Sequence, residues 1–146
     1  MQSNDDDYIA ETRRWLEYAE QDLQAATASI TQADFEPRHA CFFAQQAAEK
    51  VLKAGLVYLK TDVLRTHDLN VLVALLPATW AATAVLPDLT NLRDWAVGSR
   101  YPGVGRDPTP DDAEDAVLQA REVSAAIHGD LIAHGFDPEN GSSHAT

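Results

Sequence analysis

Apolar residues recur at intervals of three and four along most of the chain, the spacing of helices with one buried face. The first such stretch runs from Tyr8 to about Thr31, and the second from near Pro37 to near Lys60. Strict alternation of apolar and polar residues, which marks a half-buried strand, occurs over no useful length. The pattern predicts an all-α fold.

Breaks in this pattern mark the ends of the predicted helices. Residues 34–37 interrupt it and separate the first helix from the second. A short third helix is expected to begin at a capping residue, either Thr66 or Asp68.

Residues 79–98 predict a fourth helix, although Pro87 lies within it. Its firmer half is residues 88–97, and the alternative is that Trp80 and Leu86 belong to a separate preceding turn.

The last part of the chain contains an irregular loop and then the final helix. Residues 98–110 carry three glycines and three prolines, so we expect a loop there. Thr109 reads as an N-cap followed by a proline and two acidic residues, and the helix that it begins is expected to stop at Gly135. The complete pattern predicts an antiparallel up-and-down bundle of four main helices plus a short one.

The length of 146 residues suits a single domain, which we place at residues 8–135. Residues 1–7 are expected to be a disordered acidic tail, and residues 136–146 a second disordered tail. No apolar run is long enough to span a membrane, and the first residues lack the basic and apolar segments of a signal peptide. We therefore expect a cytoplasmic protein without a membrane partner.

Charge is distributed unevenly along the chain. The formal net charge is −12, which argues against non-specific binding of nucleic acid, and no DNA partner is predicted. Residues 37–67 nevertheless carry five basic and two acidic groups, and form the one net-positive segment. Two interpretations stay open, a site for an anion or an acidic partner, and a chance imbalance along a helix surface.

Most familiar catalytic and cofactor motifs are missing from the sequence. The five histidines do not show the HExxH spacing that places two metal ligands on one helix face, so no metal is expected. A phosphate-binding glycine loop is also missing, and we expect no cofactor. Cys41 lies beside two phenylalanines in the second helix, which indicates a buried, inert thiol and not a nucleophile.

A composite ligand site is the remaining candidate from the residues themselves. Its members are Lys50, Lys53, His67, Arg100 and Tyr101. In an up-and-down bundle, the loops after the second and the fourth helix are expected to emerge at the same end, near the end of the second helix. Arginine there would suit a phosphate. The alternative is that these groups only tie the loops to the helices.

Three motifs in this order resemble the HEPN domain family of small helical proteins. They are AQQAAEKVLKAGL at 44–56, THDL at 66–69 and SRYP at 99–102, and the resemblance covers about residues 8–134. It implies a helical bundle that is commonly a homodimer and is often encoded beside a minimal nucleotidyltransferase in a toxin–antitoxin-like system. The resemblance also implies nucleotide or RNA binding as the function, with a nucleotidyltransferase as partner.

Many HEPN proteins are ribonucleases that use an arginine, four to six intervening residues and a histidine. The resemblance therefore implies a metal-independent ribonuclease toxin as the alternative function. Arg100 has no histidine at this spacing, whereas Arg121 and His128 meet it with six residues between them. Arg121 and His128 are the weak catalytic candidates, and they lie within the last helix among apolar residues. A dimeric scaffold without a ligand is the third possibility.

Overall fold

A computed structural model of the chain describes residues 2–62, 65–98, 101–103 and 105–139, with side chains from Asp7 onward. The described residues form helices and no strand, so the predicted all-α fold is confirmed. The helices are α1 (Gln2–Thr31), α2 (Pro37–Tyr58), α3 (Leu69–Ala74), α4 (Ala82–Val85), α5 (Thr90–Gly98) and α6 (Pro110–Ala133).

Helix α2 lies at the centre of the bundle and packs against α1, α3, α5 and α6. Its residues are buried almost continuously from Ala40 to Val57, because apolar and small side chains surround its whole circumference. The polar residues Gln45, Glu49 and Lys53 are buried with them. A buried polar group needs a partner inside the protein, so these three residues are where a site should be sought first.

Contacts at the ends of α2 fix the directions of the long helices. The rings of Tyr8 and Tyr58 lie 6.0 Å apart, and Asp22 contacts Lys50, so α1 runs antiparallel to α2. The Tyr58 hydroxyl donates to the backbone carbonyl of His134, 2.9 Å away, which brings the C-terminal ends of α2 and α6 together. Helices α2 and α6 therefore run in the same direction.

Local capping chemistry explains where two of the helices begin. The Asp68 carboxylate accepts hydrogen bonds from the backbone N–H groups of Asn70 and Val71 at the start of α3. The Thr109 hydroxyl accepts one from the N–H of Asp112 at the start of α6, where Pro110 is the first helical residue. Asp68, and not Thr66, is thus the cap of α3, and the predicted cap of α6 is confirmed.

The predicted fourth helix over residues 79–98 is two helices, α4 and α5. Leu86 has an extended backbone, with φ −78° and ψ 133°, and ends α4. A residue that precedes proline is driven into this region by contact with the proline ring, so Pro87 breaks the helix one residue before itself. Helical structure begins again at Thr90 as α5, which packs against α2 in the bundle.

Ordered structure extends beyond both ends of the predicted domain. Helix α1 begins at Gln2, and residues 2–7 contain neither glycine nor proline to interrupt it. After α6, Phe136 is buried, and the Arg13 guanidinium lies 4.8 Å from its ring centroid. Arg13 also donates hydrogen bonds to the backbone carbonyls of Asp137 and Pro138. Residues 136–139, expected in a disordered tail, are thereby attached to α1, and residues 140–146 lie outside the described residues.

Candidate functional site

Glu49 and Lys53 form an ion pair inside the bundle. They lie four residues apart on α2, and the Lys53 Nζ donates to the Glu49 Oε2 over 2.9 Å. Their side chains are only 7% and 8% exposed. The Trp15 ring of α1 lies over the ammonium, with its centroid 5.9 Å away. A single charge at this depth costs several kcal/mol, on the order of 3–5, so each residue of the pair requires the other.

His67 and Gln45 complete the surroundings of the Glu49 carboxylate. The His67 Nδ1 lies 3.0 Å from both carboxylate oxygens, and the Gln45 side-chain amide donates to Oε1 over 3.1 Å. His67 belongs to the segment that leads into α3, so its contact attaches this segment to α2. The His67 side chain is 71% exposed, which makes it the point where this buried network meets solvent.

The protein environment favours the charged form of Glu49. Burial alone would raise the pKa of its carboxyl group. Hydrogen bonds from Lys53, His67 and Gln45, together with the charge of Lys53, more than offset burial, and the pKa is lowered from its ordinary value. Glu49 is therefore a carboxylate that holds its neighbours in place, and not a poised general acid.

Lys50 has a different carboxylate partner. Its Nζ lies 2.5 Å from Asp22 of α1, and both side chains are about one-fifth to one-quarter exposed. Each predicted ligand group in the net-positive segment, residues 37–67, thus contacts a carboxylate within the protein. These groups are Lys50, Lys53 and His67. The two lysines of α2 are therefore matched by acidic residues in the fold. A ligand-binding role for Lys50, Lys53 and His67 stays a prediction.

An open groove lies between α5 and α6. Both helices pack against α2 but make little contact with each other, which leaves a cavity of about 820 Å³. Helix α6 contributes residues at helical spacing, among them Asp115, Leu118, Gln119 and Glu122. Helix α5 contributes most of its length, Asn91 and residues 93–98. We call this cavity the α5–α6 groove.

Two arginines line the groove, and each is paired with carboxylates. The Arg93 Nε donates to Asp94 over 3.0 Å, and its terminal nitrogen donates to Asp68 over 3.3 Å. Arg106 binds both oxygens of Asp112 in a bidentate pair, which holds the pKa of Asp112 well below its usual range. Asp68 therefore both caps α3 and forms an ion pair with Arg93.

A model of the HEPN domain family matches residues 12–130, most of the chain. The chain belongs to the HEPN domain family. It is similar to the crystal structure of TT1696 from Thermus thermophilus, with a TM-score of 0.69 and 30% identity over 82% of this chain and 98% of that one. It is also similar to ST0689, described as an archaeal HEPN homologue, with a TM-score of 0.62 and 27% identity over 81% and 95% of the two chains. No curated protein matches the chain in sequence.

The two residues expected from the HEPN SRYP motif differ in what can be said of them. Arg100 lies outside the described residues. Tyr101 is about half exposed and lies beside Pro37 and Arg38, at the N-terminal end of α2. The expectation that this loop meets the C-terminal end of α2 is wrong. Helices α3 and α4 are too short to cross the bundle, so α5 runs antiparallel to α2 and its exit loop lies at the opposite end. A ligand-binding role for Tyr101 stays a prediction.

The two catalytic candidates of the HEPN ribonuclease pattern bond to different partners. The Arg121 guanidinium donates to the hydroxyl of Thr27 on α1, over 3.0 Å. The His128 Nδ1 lies 2.8 Å from the backbone carbonyl of Ser124, one turn earlier in α6. Seven positions of helix separate the two candidates by about 10 Å along the axis. A catalytic role for the pair stays a prediction.

Other chemistry is limited in the part of the chain that the structure describes. Cys41 is fully buried, and burial raises the pKa of its thiol to about 12, so it is a poor nucleophile. The described side chains contain no group of three or more histidine, cysteine or acidic residues that could hold a metal ion. No helix formed by the described residues is both long and apolar enough to cross a membrane.

The sequence did not indicate the groove residues Arg93, Trp95 and Arg106. The Arg106 guanidinium lies 5.6 Å from the Trp95 ring centroid, although eleven positions separate them. Leu118 lies on the polar face of α6, with acidic residues three before it and four after it. A single exposed apolar residue is common on protein surfaces, so the sequence carries no clear signal for the groove.

Proposed function

We propose that this HEPN protein is the interaction module of a two-component, toxin–antitoxin-like system whose partner is a minimal nucleotidyltransferase. The α5–α6 groove is the observation that carries this proposal. Val97 and Leu118 both line it and are 52% and 54% exposed, so the groove presents apolar surface to water. Covering them with another protein removes apolar surface from water.

The choice of partner comes from the HEPN family resemblance, and the choice of surface comes from the groove. Two helices that both pack on a third, but make little contact with each other, offer a channel in which another helix can lie. The buried network of Glu49, Lys53 and His67 is less suitable for a partner. Its charges are already matched inside the protein, and two of its three side chains are covered.

Co-purification with the nucleotidyltransferase encoded beside its gene tests the proposal. The two proteins are expressed together, one carries an affinity tag, and the complex is weighed by light scattering after gel filtration. Leu118→Asp is expected to reduce recovery of the partner at least tenfold. Ile132→Asp is the matched control, because Ile132 is also on α6, is 55% exposed and lies outside the groove. Equal recovery with both variants would remove the groove from the proposal.

Nucleotide or RNA binding is the second candidate function, favoured by one arrangement in the same groove. Trp95 offers an aromatic face, while Arg93 and Arg106 offer guanidinium groups beside it. A volume of about 820 Å³ is within the range of small-molecule pockets. Phosphate would have to displace the aspartates that now pair with these arginines.

Calorimetric titration with ATP and with a single-stranded oligoribonucleotide tests this second candidate. Arg106→Ala is expected to abolish binding if the groove is the site. Lys50→Ala and Arg100→Ala test the site that the sequence indicated, and their affinities should match that of the wild type if the ligand lies in the groove. Undetectable heat with both ligands would exclude the candidate.

A homodimer, as in many HEPN proteins, belongs to the same proposal. Light scattering on the purified protein should give twice the mass of the 146-residue chain. A mass that stays monomeric at the highest soluble concentration would contradict it.

A further inference from the structure

The lining of the α5–α6 groove has an excess of acidic groups. Among the described residues that line the groove are five carboxylates and two arginines. Three of the carboxylates, those of Asp68, Asp94 and Asp112, are paired with these arginines. The other two, Asp115 and Glu122, take part in no ion pair among the described residues. Both belong to α6, seven positions apart, and line the same side of the groove.

The two carboxylates that lack an ion-pair partner among the described residues flank the exposed apolar residue of α6. Leu118 lies one turn after Asp115 and one turn before Glu122, and all three line the groove. Trp95 and Val97 contribute apolar surface from α5. The α6 side of the groove thus has an exposed apolar residue with a carboxylate one turn before it and another one turn after it. An occupant that matches it needs an apolar stripe bordered by positive charges.

We infer that the α5–α6 groove binds an amphipathic helix of the partner protein whose apolar stripe is flanked by lysine or arginine. This inference rests on the proposed function, since it assumes that the groove docks a protein. The apolar stripe covers Leu118, Val97 and Trp95, and the basic residues pair with Asp115 and Glu122. A helix about 10–12 Å wide can lie along such a channel, and α5, at nine residues, offers about two and a half turns of contact.

Charge distinguishes this occupant from the two other obvious ones. A second copy of this chain would bring an acidic surface, because the sequence has 23 acidic and 11 basic residues. RNA would bring negatively charged phosphates towards Asp115 and Glu122. These carboxylates take part in no ion pair among the described residues, so they would repel the phosphates. A cationic helix is attracted by the same groups, and this attraction weakens as salt is added.

The test uses a labelled peptide as the probe. A fluorescein-labelled amphipathic peptide of about 14 leucine and lysine residues, roughly four helical turns, is titrated with the full-length protein. Its counterpart contains glutamate in place of lysine, and a labelled single-stranded oligoribonucleotide is the third probe. The groove variant combines Asp115→Lys with Glu122→Lys. The matched control combines Glu114→Lys with Glu17→Lys, two exposed acidic residues outside the groove that give the same change in net charge.

The wild-type protein is expected to bind the lysine peptide, and the groove variant to bind it at least tenfold more weakly. The control variant should keep the wild-type affinity, and circular dichroism should show that all three proteins are folded. Equal loss in both variants, or no loss in the groove variant, would overturn the inference. Tighter binding of RNA than of the lysine peptide would also overturn it, as would dimerisation that the groove variant abolishes, since a second copy would then be the occupant.

Failure of this inference can be distinguished from failure of the proposed function. If the nucleotidyltransferase co-purifies equally with the wild type and the groove variant, the pairing stands and the cationic helix is wrong. If it co-purifies with neither, while the lysine peptide binds the wild type and not the groove variant, the inference stands and the choice of nucleotidyltransferase as partner is wrong.

Discussion

The buried network around Glu49 and the α5–α6 groove differ in whether their charged side chains are paired inside the protein. In the network, Lys53 and His67 both contact the same carboxylate, and Glu49 and Lys53 are almost entirely covered. In the groove, Asp115 and Glu122 are exposed and lack an ion-pair partner among the described residues. The lysine that the fold buries most deeply, Lys53, is therefore matched by a carboxylate, while the two carboxylates on the α6 side of the groove remain open to solvent. Charge counted along a sequence does not reveal which charges the fold has already matched.

Removing the Glu49 carboxylate from the network should lower the free energy of unfolding more than any other change considered below. Glu49→Ala leaves Lys53 buried without an anion and leaves His67 without its contact to α2. We expect the free energy of unfolding to fall by about 3–5 kcal/mol, measured by urea denaturation. Glu114→Ala, which removes an exposed carboxylate from α6, should change it by less than about 0.5 kcal/mol. A loss below about 1 kcal/mol for Glu49→Ala would show that the pair is not structurally required.

The pH dependence of stability should show a smaller effect from the same carboxyl group. Because the folded pKa of Glu49 is lowered, its contribution is present above the unfolded pKa, near about 4.3, and is lost as pH falls through the folded value. The difference in unfolding free energy between the wild type and Glu49→Gln should therefore shrink below about pH 4. Denaturation curves from about pH 5 to about pH 3 measure it. A difference that grows on acidification would contradict the assigned direction.

Lys50 provides an intermediate case between the network and the groove. Its pair with Asp22 is partly exposed, so solvent screens it. Lys50→Ala should lower the free energy of unfolding by about 0.5–1 kcal/mol. Arg38→Ala, at an exposed basic residue, should have little effect by comparison. A loss as large as that for Glu49→Ala would show that the difference in burial between the Lys50–Asp22 and Lys53–Glu49 pairs does not determine how much each contributes to stability.

The groove should tolerate charge reversal with the smallest change in stability. The combined change of Asp115→Lys and Glu122→Lys alters two exposed side chains without ion-pair partners among the described residues. Thermal unfolding should show a change within about 0.5 kcal/mol, while partner binding is strongly affected. A large loss of stability would indicate that these carboxylates are structural, and would weaken the contrast between the two regions.

Local signals predicted the helices well and failed where the path of a loop decides the outcome. The cap at Thr109 and the stop near Gly135 follow from neighbouring residues, and α6 ends at Ala133 with Gly135 at φ 102°. Pro87 was recognised as an interruption, but two separate helices depend on the extended backbone of Leu86. The direction of α5, which sets the position of Tyr101, depends on how far α3 and α4 travel across the bundle.

The buried network and the α5–α6 groove show the same limit of prediction from local sequence. Glu49 and Lys53 are four apart on one helix, so their pairing was predictable from spacing. The contact of His67 with Glu49 joins residues 18 positions apart through a connecting segment, and no local pattern specifies it. The groove exists because α5 and α6 both pack on α2 while making little contact with each other. That is a property of three helices together.

The attachment of residues 136–139 to α1 has a consequence for the order of events during synthesis. Helices α1 and α2 are neighbours in sequence and can pair soon after they emerge from the ribosome, but one side of α2 stays uncovered until α6 has been made. The Arg13 contacts with Asp137 and Pro138 form only after that, across more than 120 residues. We expect nascent chains that end before Phe136 to expose apolar surface and to depend on chaperones, and chains released beyond residue 139 to mature rapidly.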